Sequence, residues 1–223
     1  MRAISYLGFP LLLLIVINVI FFQGCKKSND SDCDDSNSDT SNVLEKPNIY
    51  IYPETKTQLT VNLDFPIGGE VIASIPDYGN GWNVSVDTNG LIDNTYSYLF
   101  YESTQPDIWQ KYSGWILKKD SLEVFFRENM SEYGFYGQEI NDFVEYWIPR
   151  FNDYEYYLIF PQTIDIIEDV VILNISEEPD NLLRLFYIIK GFHNSPNIEL
   201  IEPQINIFKR ENYFVTEWGV VLN

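Results

Sequence analysis

The acidic residues are the side chains of this sequence best placed to do chemistry. Glu102 and Glu217 each lie among aromatic residues, within residues 98–102 and 214–219. Glycosidases place two carboxylates on an aromatic-lined cleft, where one protonates the leaving oxygen and the other acts as nucleophile or base. The pattern is therefore compatible with a carboxylate-based, glycosidase-like hydrolase, although 33 acidic residues also bring such neighbours together by chance.

The aromatic side chains support a second hypothesis, a binding or envelope-interaction module. Tyr, Phe and Trp make up 16% of the chain, and such rings stack on a glycan or a peptide. We take Trp82, Tyr101, Trp109, Trp115 and Glu217 as candidate binding residues, and we favour this hypothesis over the hydrolase. The same rings also fit a plain core. Two coplanar, exposed tryptophans would favour binding, and two carboxylates facing across a cleft would favour hydrolysis.

The sequence has few residues that could support nucleophilic or metal-dependent catalysis. His193 is the only histidine, and residues 191–196 around it indicate a loop, not a strained nucleophile turn. Cys25 and Cys33 are the two cysteines, and both precede the folded part, which leaves no disulfide or thiolate metal site there. No phosphate-binding glycine loop is present. We therefore assign no catalytic residue, no cofactor and no metal.

An acidic run near the amino terminus offers one metal hypothesis. Asp30, Asp32 and Asp34 occupy the first, third and fifth positions of an EF-hand loop. The positions that require Gly and Glu hold Asp35 and Ser41, and no helical pattern flanks the run. We interpret the run as a solvated acidic linker. The formal net charge of −19 likewise repels nucleic acid, which we exclude as a partner.

The amino terminus has the pattern of a secretory signal. Arg2 precedes an apolar stretch over residues 7–22, and Gly24 stands directly before Cys25. Residues 22–25 resemble the lipobox of bacterial lipoproteins, in which the cysteine is lipidated and becomes the mature amino terminus. We predict a signal peptide over residues 1–24 and a membrane anchor on Cys25. The protein would then lie in the cell envelope outside the cytoplasm, at the outer membrane or the cell surface.

An uncleaved membrane anchor is the alternative, because residues 4–22 are nearly long enough to span a bilayer. Lys26 and Lys27 would then lie on the exported side, against the positive-inside tendency. Both interpretations place the rest of the chain outside the cytoplasm. Residues 25–45 are rich in Ser, Asp and Asn, and this composition predicts a disordered acidic tether.

The elements that must position the acids and rings follow from periodicity. Alternating apolar residues and glycine turns predict an antiparallel β unit over residues 46–103. Helical periodicity then predicts a two-helix hairpin over residues 120–150, with Asp120 and Glu123 spaced as a capping box and Gly134 ending the first helix. Strands return over residues 155–221. The class is α+β: one antiparallel β-rich domain, residues 46–223, with an inserted helical hairpin.

Five motifs in this domain carry a family resemblance. In chain order they occupy residues 46–53 (KPNIYIYP), 81–84 (GWNV), 98–102 (YLFYE), 146–149 (YWIP) and 214–219 (FVTEWG). They are similar to successive signatures of a family of uncharacterised bacterial secreted and lipoprotein domains, and the match covers nearly all of residues 46–219. The resemblance implies one intact domain and no assigned activity.

The last motif predicts two different environments for adjacent residues. Alternation places Trp218 on the same face as Phe214, and Glu217 on the opposite face. We expect Trp218 to belong to the core. We expect Glu217 to be dispensable for folding unless it is buried against a donor.

Overall fold

The folded part of the chain begins inside the segment predicted as a tether. The computed structural model describes residues 41–223. The first strand, β1, is Ser41–Tyr52, so residues 41–45 belong to the fold and the predicted end of the tether is wrong. The cause is Leu44, a single fully buried apolar residue in a polar run, which gives no periodic signal. The predicted signal peptide, Cys25, Cys33 and the acidic run up to Asp35 lie outside the described residues.

Strands dominate the described residues, and the helices are inserted among them, as the sequence predicted. The further strands are β2 Thr57–Asp64, β3 Glu70–Ile75, β4 Trp82–Val86, β5 Leu99–Pro106, β6 Trp115–Lys118, β7 Tyr156–Thr163, β8 Ile172–Ile175, β9 Asn181–Phe192 and β10 Phe214–Leu222. The helices are α1 Leu122–Tyr133, α2 Gln138–Trp147 and α3 Ile164–Val170, with 3-10 turns at Lys119–Ser121 and Ile148–Arg150. The α+β class is confirmed.

The strands form two sheets. The larger has seven strands in the order β3-β5-β1-β10-β9-β7-β6, and the smaller has three in the order β4-β2-β8. Only β9 and β10 pair in parallel within this part of the chain, and the other pairs are antiparallel. Strands β1 and β10, which carry the first and last motifs, are neighbours at the centre of the larger sheet.

The larger sheet is the middle of three layers. One face packs against the small sheet and α3, through residues such as Leu59, Val84 and Ile167. The other face packs against α1 and α2, through residues such as Phe126 and Phe143. Because both faces of the central strands are covered, neighbouring residues on one strand are buried in two different cores. We call these two sides the small-sheet face and the helix face.

The structure confirms the predicted end of α1 but not its predicted start. Gly134 ends the helix with φ 112° and donates its backbone N–H to Met130, as predicted. The predicted capping box is wrong: Asp120 lies in the 3-10 turn, Ser121 is the residue that precedes the helix, and no side chain caps it. The extra turn shifts the start of α1 past the residues whose spacing suggested the cap.

Two elements gave no readable signal in the sequence. Strand β6 has four residues, none of them fully buried, so apolar and polar positions do not alternate. Helix α3 has seven residues and is rich in isoleucine, which favours strands over helices. Helix α3 lies within residues 155–221, where the sequence predicted strands. Burial of Ile167 and Val170 against the sheet stabilises this helix despite its weak propensity.

Candidate functional site

The three tryptophans predicted to bind a ligand are not arranged as an exposed platform. Trp82 is buried, and its indole N–H donates to the Pro76 carbonyl at 2.8 Å. Trp109 is buried with its ring 6.2 Å from that of Phe186. Trp115 is partly buried and packs edge-to-face on a phenylalanine of α1. Burial assigns Trp82 and Trp109 to packing, and Trp115 packs with its buried part against the helix-face core.

The other two predicted binding residues, Tyr101 and Glu217, form a buried polar cluster on the small-sheet face. The Tyr101 hydroxyl donates to the Glu217 carboxylate at 2.8 Å, and the Arg184 guanidinium donates to the same carboxylate from β9. Arg184 also donates to the Val171 carbonyl at 2.6 Å. All three side chains are fully buried. Burial and the Glu217 charge raise the pKa of Tyr101 well above its usual range.

The carboxylate pair suggested by the sequence is not formed. Glu217 hydrogen-bonds Tyr101, and Glu102 is the next residue on β5, so its side chain points to the opposite face of the sheet. The pairing of Glu102 with Glu217 is therefore wrong. The sequence showed that both acids lie in aromatic motifs, but the faces depend on the register of β5, β1 and β10.

A β-bulge in β1 is the point at which the motifs meet on the helix face. Leu44 pairs with Ser103 and Asn48 pairs with Phe100, so residues 45–47 of β1 lie opposite residues 101–102 of β5. The extra residue turns Lys46 into the left-handed region, with φ 54°, which a side chain with a Cβ rarely adopts. Bulges of this kind re-aim side chains and are frequent beside functional sites.

The ammonium group of Lys46 lies among three aromatic rings from two segments, residues 98–100 and helix α2. Its Nζ is 4.4 Å from the ring centroid of Phe100, 5.1 Å from that of Tyr98 and 5.2 Å from that of Tyr146 on α2. The Tyr98 hydroxyl is 3.5 Å away. Burial lowers the pKa of Lys46, opposed by the carboxylates of Asp142 and Glu102. These contacts hold a half-buried cation by the negative faces of the rings.

The bulge also brings two carboxylates together. Glu45 pairs with Val220 of the helix-face core, so Glu45 points to that face, the same side as Glu102. Both side chains are half-buried. Burial, and after it the charge of Glu102, raises the pKa of Glu45, while Arg150 opposes the shift. We call Glu45, Lys46, Asn48, Phe100 and Glu102 the bulge site.

A hydrogen-bond chain connects the bulge site to α2. The Asn48 amide donates to the Tyr50 hydroxyl at 3.4 Å, and that hydroxyl donates to Asp142 at 2.8 Å. Gln138 donates to the same carboxylate at 2.7 Å. Burial, with the Asp142 charge, raises the pKa of Tyr50 well above its usual range, so the phenol remains a donor. The side-chain carbonyl oxygen of Asn48 is buried without a hydrogen-bond partner among the described residues.

Next to this chain lies a pocket of about 250 Å³. It is lined by two phenol rings, two side-chain amides, one hydroxyl, a glycine and a leucine: Tyr50, Tyr52, Asn89, Gly90, Leu91, Ser97 and Gln138. We call it the tyrosine pocket. Gly90 has φ 83° and approaches Tyr52 so closely that a Cβ would lie 2.9 Å from the ring, so the turn there requires glycine. Tyr50 belongs to both the pocket and the hydrogen-bond chain, which makes the two sites continuous.

Comparison with protein-family models, with curated proteins and with solved structures gives no match. The assignment of function therefore rests on the site itself. Within residues 41–223, no group of three or more His, Cys, Asp or Glu side chains is placed to hold a metal ion. His193 is exposed, and its ring lies 4.9 Å from that of Tyr154.

Glu45, Lys46, Asn48 and Asp142 are the site residues that sequence reasoning missed. Glu45 was assigned to the tether, and Lys46 and Asn48 were read only as part of a strand motif. The signal available was the set of motifs: Lys46 belongs to residues 46–53, and the rings around it come from residues 98–102 and 146–149. Without the register of β1 against β5, that set does not show which members of each motif meet.

Proposed function

We propose that this chain is a lipid-anchored protein of the cell envelope whose domain binds a glycan in the tyrosine pocket and along the bulge site. The observation that carries the proposal is the convergence of three sequence motifs on one half-buried cluster of phenols, amides, carboxylates and a lysine. A cluster with donors and acceptors in alternation beside aromatic rings suits a polyhydroxylated ligand.

The free hydrogen-bonding groups of the pocket favour a glycan over a peptide. The Asn89 side-chain oxygen accepts the Leu91 N–H at 3.1 Å, so its amide nitrogen is left as a donor. Gln138 uses its nitrogen on Asp142, so its oxygen is left as an acceptor. Ser97 adds a hydroxyl that both donates and accepts. Sugar hydroxyl groups match such a mixed set, whereas the acidic surroundings repel an anionic polymer.

Binding is tested with the full chain in detergent on an array of bacterial-envelope and host oligosaccharides, followed by calorimetry on the glycans retained. We expect Gln138→Ala and Asn89→Ala each to weaken binding about 3- to 10-fold, the effect of one lost hydrogen bond. Gln58→Ala, exposed on the small sheet, is the matched control and should bind as the parent does. Retention of envelope peptides without any glycan would contradict the proposal.

The anchor has its own test. Metabolic labelling with a fatty-acid analogue should tag the parent chain and not Cys25→Ala. Equal labelling of both would contradict a lipid on this cysteine. Among the described residues no helix has the length and apolar character needed to cross a membrane.

A further inference from the structure

We propose that the bulge site hydrolyses the bound glycan with retention of configuration, with Glu45 as general acid and Glu102 as nucleophile. The inference rests on the proposed glycan binding and gives the same site a reaction. It concerns a pair of acids different from the one the sequence suggested, because Glu217 is locked in its ion pair on the small-sheet face.

The two acids lie on the same face within the bulge, near enough for the charge of Glu102 to act on Glu45. Leu44 pairs with Ser103, and the next residues along the two antiparallel strands are Glu45 and Glu102. Like charges on neighbouring strands are unfavourable, and a fold that retains them usually does so for a reason other than stability. Retaining glycosidases hold their two carboxyl groups about 5–5.5 Å apart, a separation that long side chains on one face of adjacent strands can reach.

The reaction needs one protonated acid and one carboxylate, and Glu45 and Glu102 lie in different environments. Glu45 lies beside the helix-face core, and burial together with the neighbouring Glu102 charge raises its pKa, which favours the protonated acid. Glu102 lies beside Phe100, two residues earlier on the same face, and within electrostatic range of the Lys46 ammonium. Two acids with different environments supply one proton donor and one carboxylate.

Two further groups point to a ligand at this place. The Asn48 side-chain oxygen is fully buried without a partner in residues 41–223, although it lies beside the bulge and its own nitrogen is bonded. A buried acceptor without a donor is costly unless another molecule satisfies it. The Lys46 ammonium has a single phenol oxygen near it at 3.5 Å and keeps donor protons for a sugar oxygen.

The proposed reaction conserves atoms and charge with water as the only co-reactant. A Glu102 oxygen bonds to the anomeric carbon while the bond from that carbon to the leaving oxygen breaks, and Glu45 transfers its proton to the leaving oxygen. The Glu45 carboxylate then takes a proton from water. The water oxygen bonds to the anomeric carbon, the ester to Glu102 breaks, and both acids return to their first state.

Chromogenic glycosides and mechanism-based labels test the inference on the full chain in detergent. A panel of 4-nitrophenyl glycosides reports turnover, and the matching 2-deoxy-2-fluoroglycosyl fluorides report a covalent intermediate by intact mass and peptide mapping. We expect a label on Glu102, loss of turnover by at least about 100-fold in Glu102→Gln, and no label on that variant. Glu123→Gln, an exposed acid of α1, is the control and should react as the parent does.

Glu45 is tested by the leaving group. Glu45→Gln should retain much of the parent's kcat/KM on 4-nitrophenyl glycosides, whose leaving group needs no proton in the first step, and lose about 100-fold or more in kcat/KM on alkyl glycosides. For the parent, kcat/KM on alkyl glycosides should fall as pH rises through the pKa of Glu45. Equal losses on both substrates would contradict the role of Glu45.

The outcomes separate this inference from the proposed binding. Glycans that bind with the expected loss in Gln138→Ala, but give neither turnover nor label, overturn hydrolysis and leave the binding function intact. A label on an acid other than Glu102 overturns the assignment of the nucleophile. If no sugar binds, both proposals fail.

Discussion

Trp218 is a fully buried member of the helix-face core. Its side chain is fully buried, its ring lies 5.2 Å from that of Phe143, and its indole N–H donates to the Glu139 carbonyl at 3.0 Å. We expect Trp218→Ala to lower the free energy of unfolding by about 3–5 kcal/mol through lost burial and a cavity. Urea titration measures this, with exposed Tyr136→Ala as control. A near-parental midpoint for Trp218→Ala would contradict the packing role.

Glu217 is buried against two donors, Tyr101 and Arg184, which is the case in which we expect it to be needed for folding. In Glu217→Gln the Arg184 guanidinium remains buried without its carboxylate, and we expect a loss of about 3–5 kcal/mol in the free energy of unfolding. Replacing both residues, as Glu217→Gln with Arg184→Met, should recover part of that loss because no unpaired charge remains. Chemical denaturation of the two variants is the measurement. A single variant as stable as the parent would show that the charge pair contributes nothing.

In the bulge site, the surroundings of Glu102 were predictable from the sequence, but its partner Glu45 was not. The aromatic setting of Glu102 was visible in the sequence, because the rings are its immediate neighbours on the strand. Its partner was not visible, because Glu45 is 57 positions away and lies in a run that reads as disordered. Strand pairing brings such distant positions together, and one extra residue in β1 changes which of them meet.

At the scale of elements, the turn between α1 and α2 depends on glycines. Gly134 has φ 112°, and a Cβ there would lie 2.7 Å from the Cβ of Phe208, whereas a Cβ at Gly137, with φ 55°, meets nothing within 4 Å. Both alanine variants carry backbone strain of about 1–3 kcal/mol, and only Gly134→Ala adds a clash. We expect the melting temperature of Gly134→Ala to be lower than that of Gly137→Ala. Thermal denaturation of the two variants measures the difference, and equal melting temperatures would contradict the close approach of Gly134 to Phe208.

Long elements with regular periodicity were predictable, and short ones were not. Helices α1 and α2 and strands such as β2 carry enough apolar positions for the period to be read. Strand β6 and helix α3 are only four and seven residues long. Their conformation is decided by the sheet against which they pack, which overrides weak local preference.

At the scale of the molecule, the buried phenols make stability fall at alkaline pH. Burial raises the pKa of Tyr133 to about 12, and those of Tyr101 and Tyr187 well above the usual 10. The unfolded chain ionises these groups near pH 10 while the folded chain does not, so their contribution is complete below pH 10 and is lost above it. We expect the free energy of unfolding to drop by about 1.4 kcal/mol per pH unit for each such tyrosine.

Urea titrations between pH 8 and 12 measure this fall. Tyr133→Phe is the matched variant, because the Tyr133 hydroxyl is buried without a partner among the described residues. The variant should keep its stability at neutral pH and lose it less steeply above pH 10. A pH profile identical to that of the parent would show that Tyr133 ionises alike in both states.

The sequence by itself determined the α+β class, the order of the main elements and the core position of Trp218. These follow from local periodicity and composition, which act between neighbours along the chain. The signal peptide and the lipid on Cys25 remain predictions of the sequence alone.

Only the tertiary structure decided which residues of the five motifs are in contact. The tryptophans became packing residues because the central sheet is covered on both faces. Glu217 and Glu102 were separated because adjacent residues on β5 point to opposite faces, and Glu45 joined Glu102 because β1 pairs with β5 through a bulge. Register and layer order are set by contacts between distant segments, and no local pattern in the chain contains them.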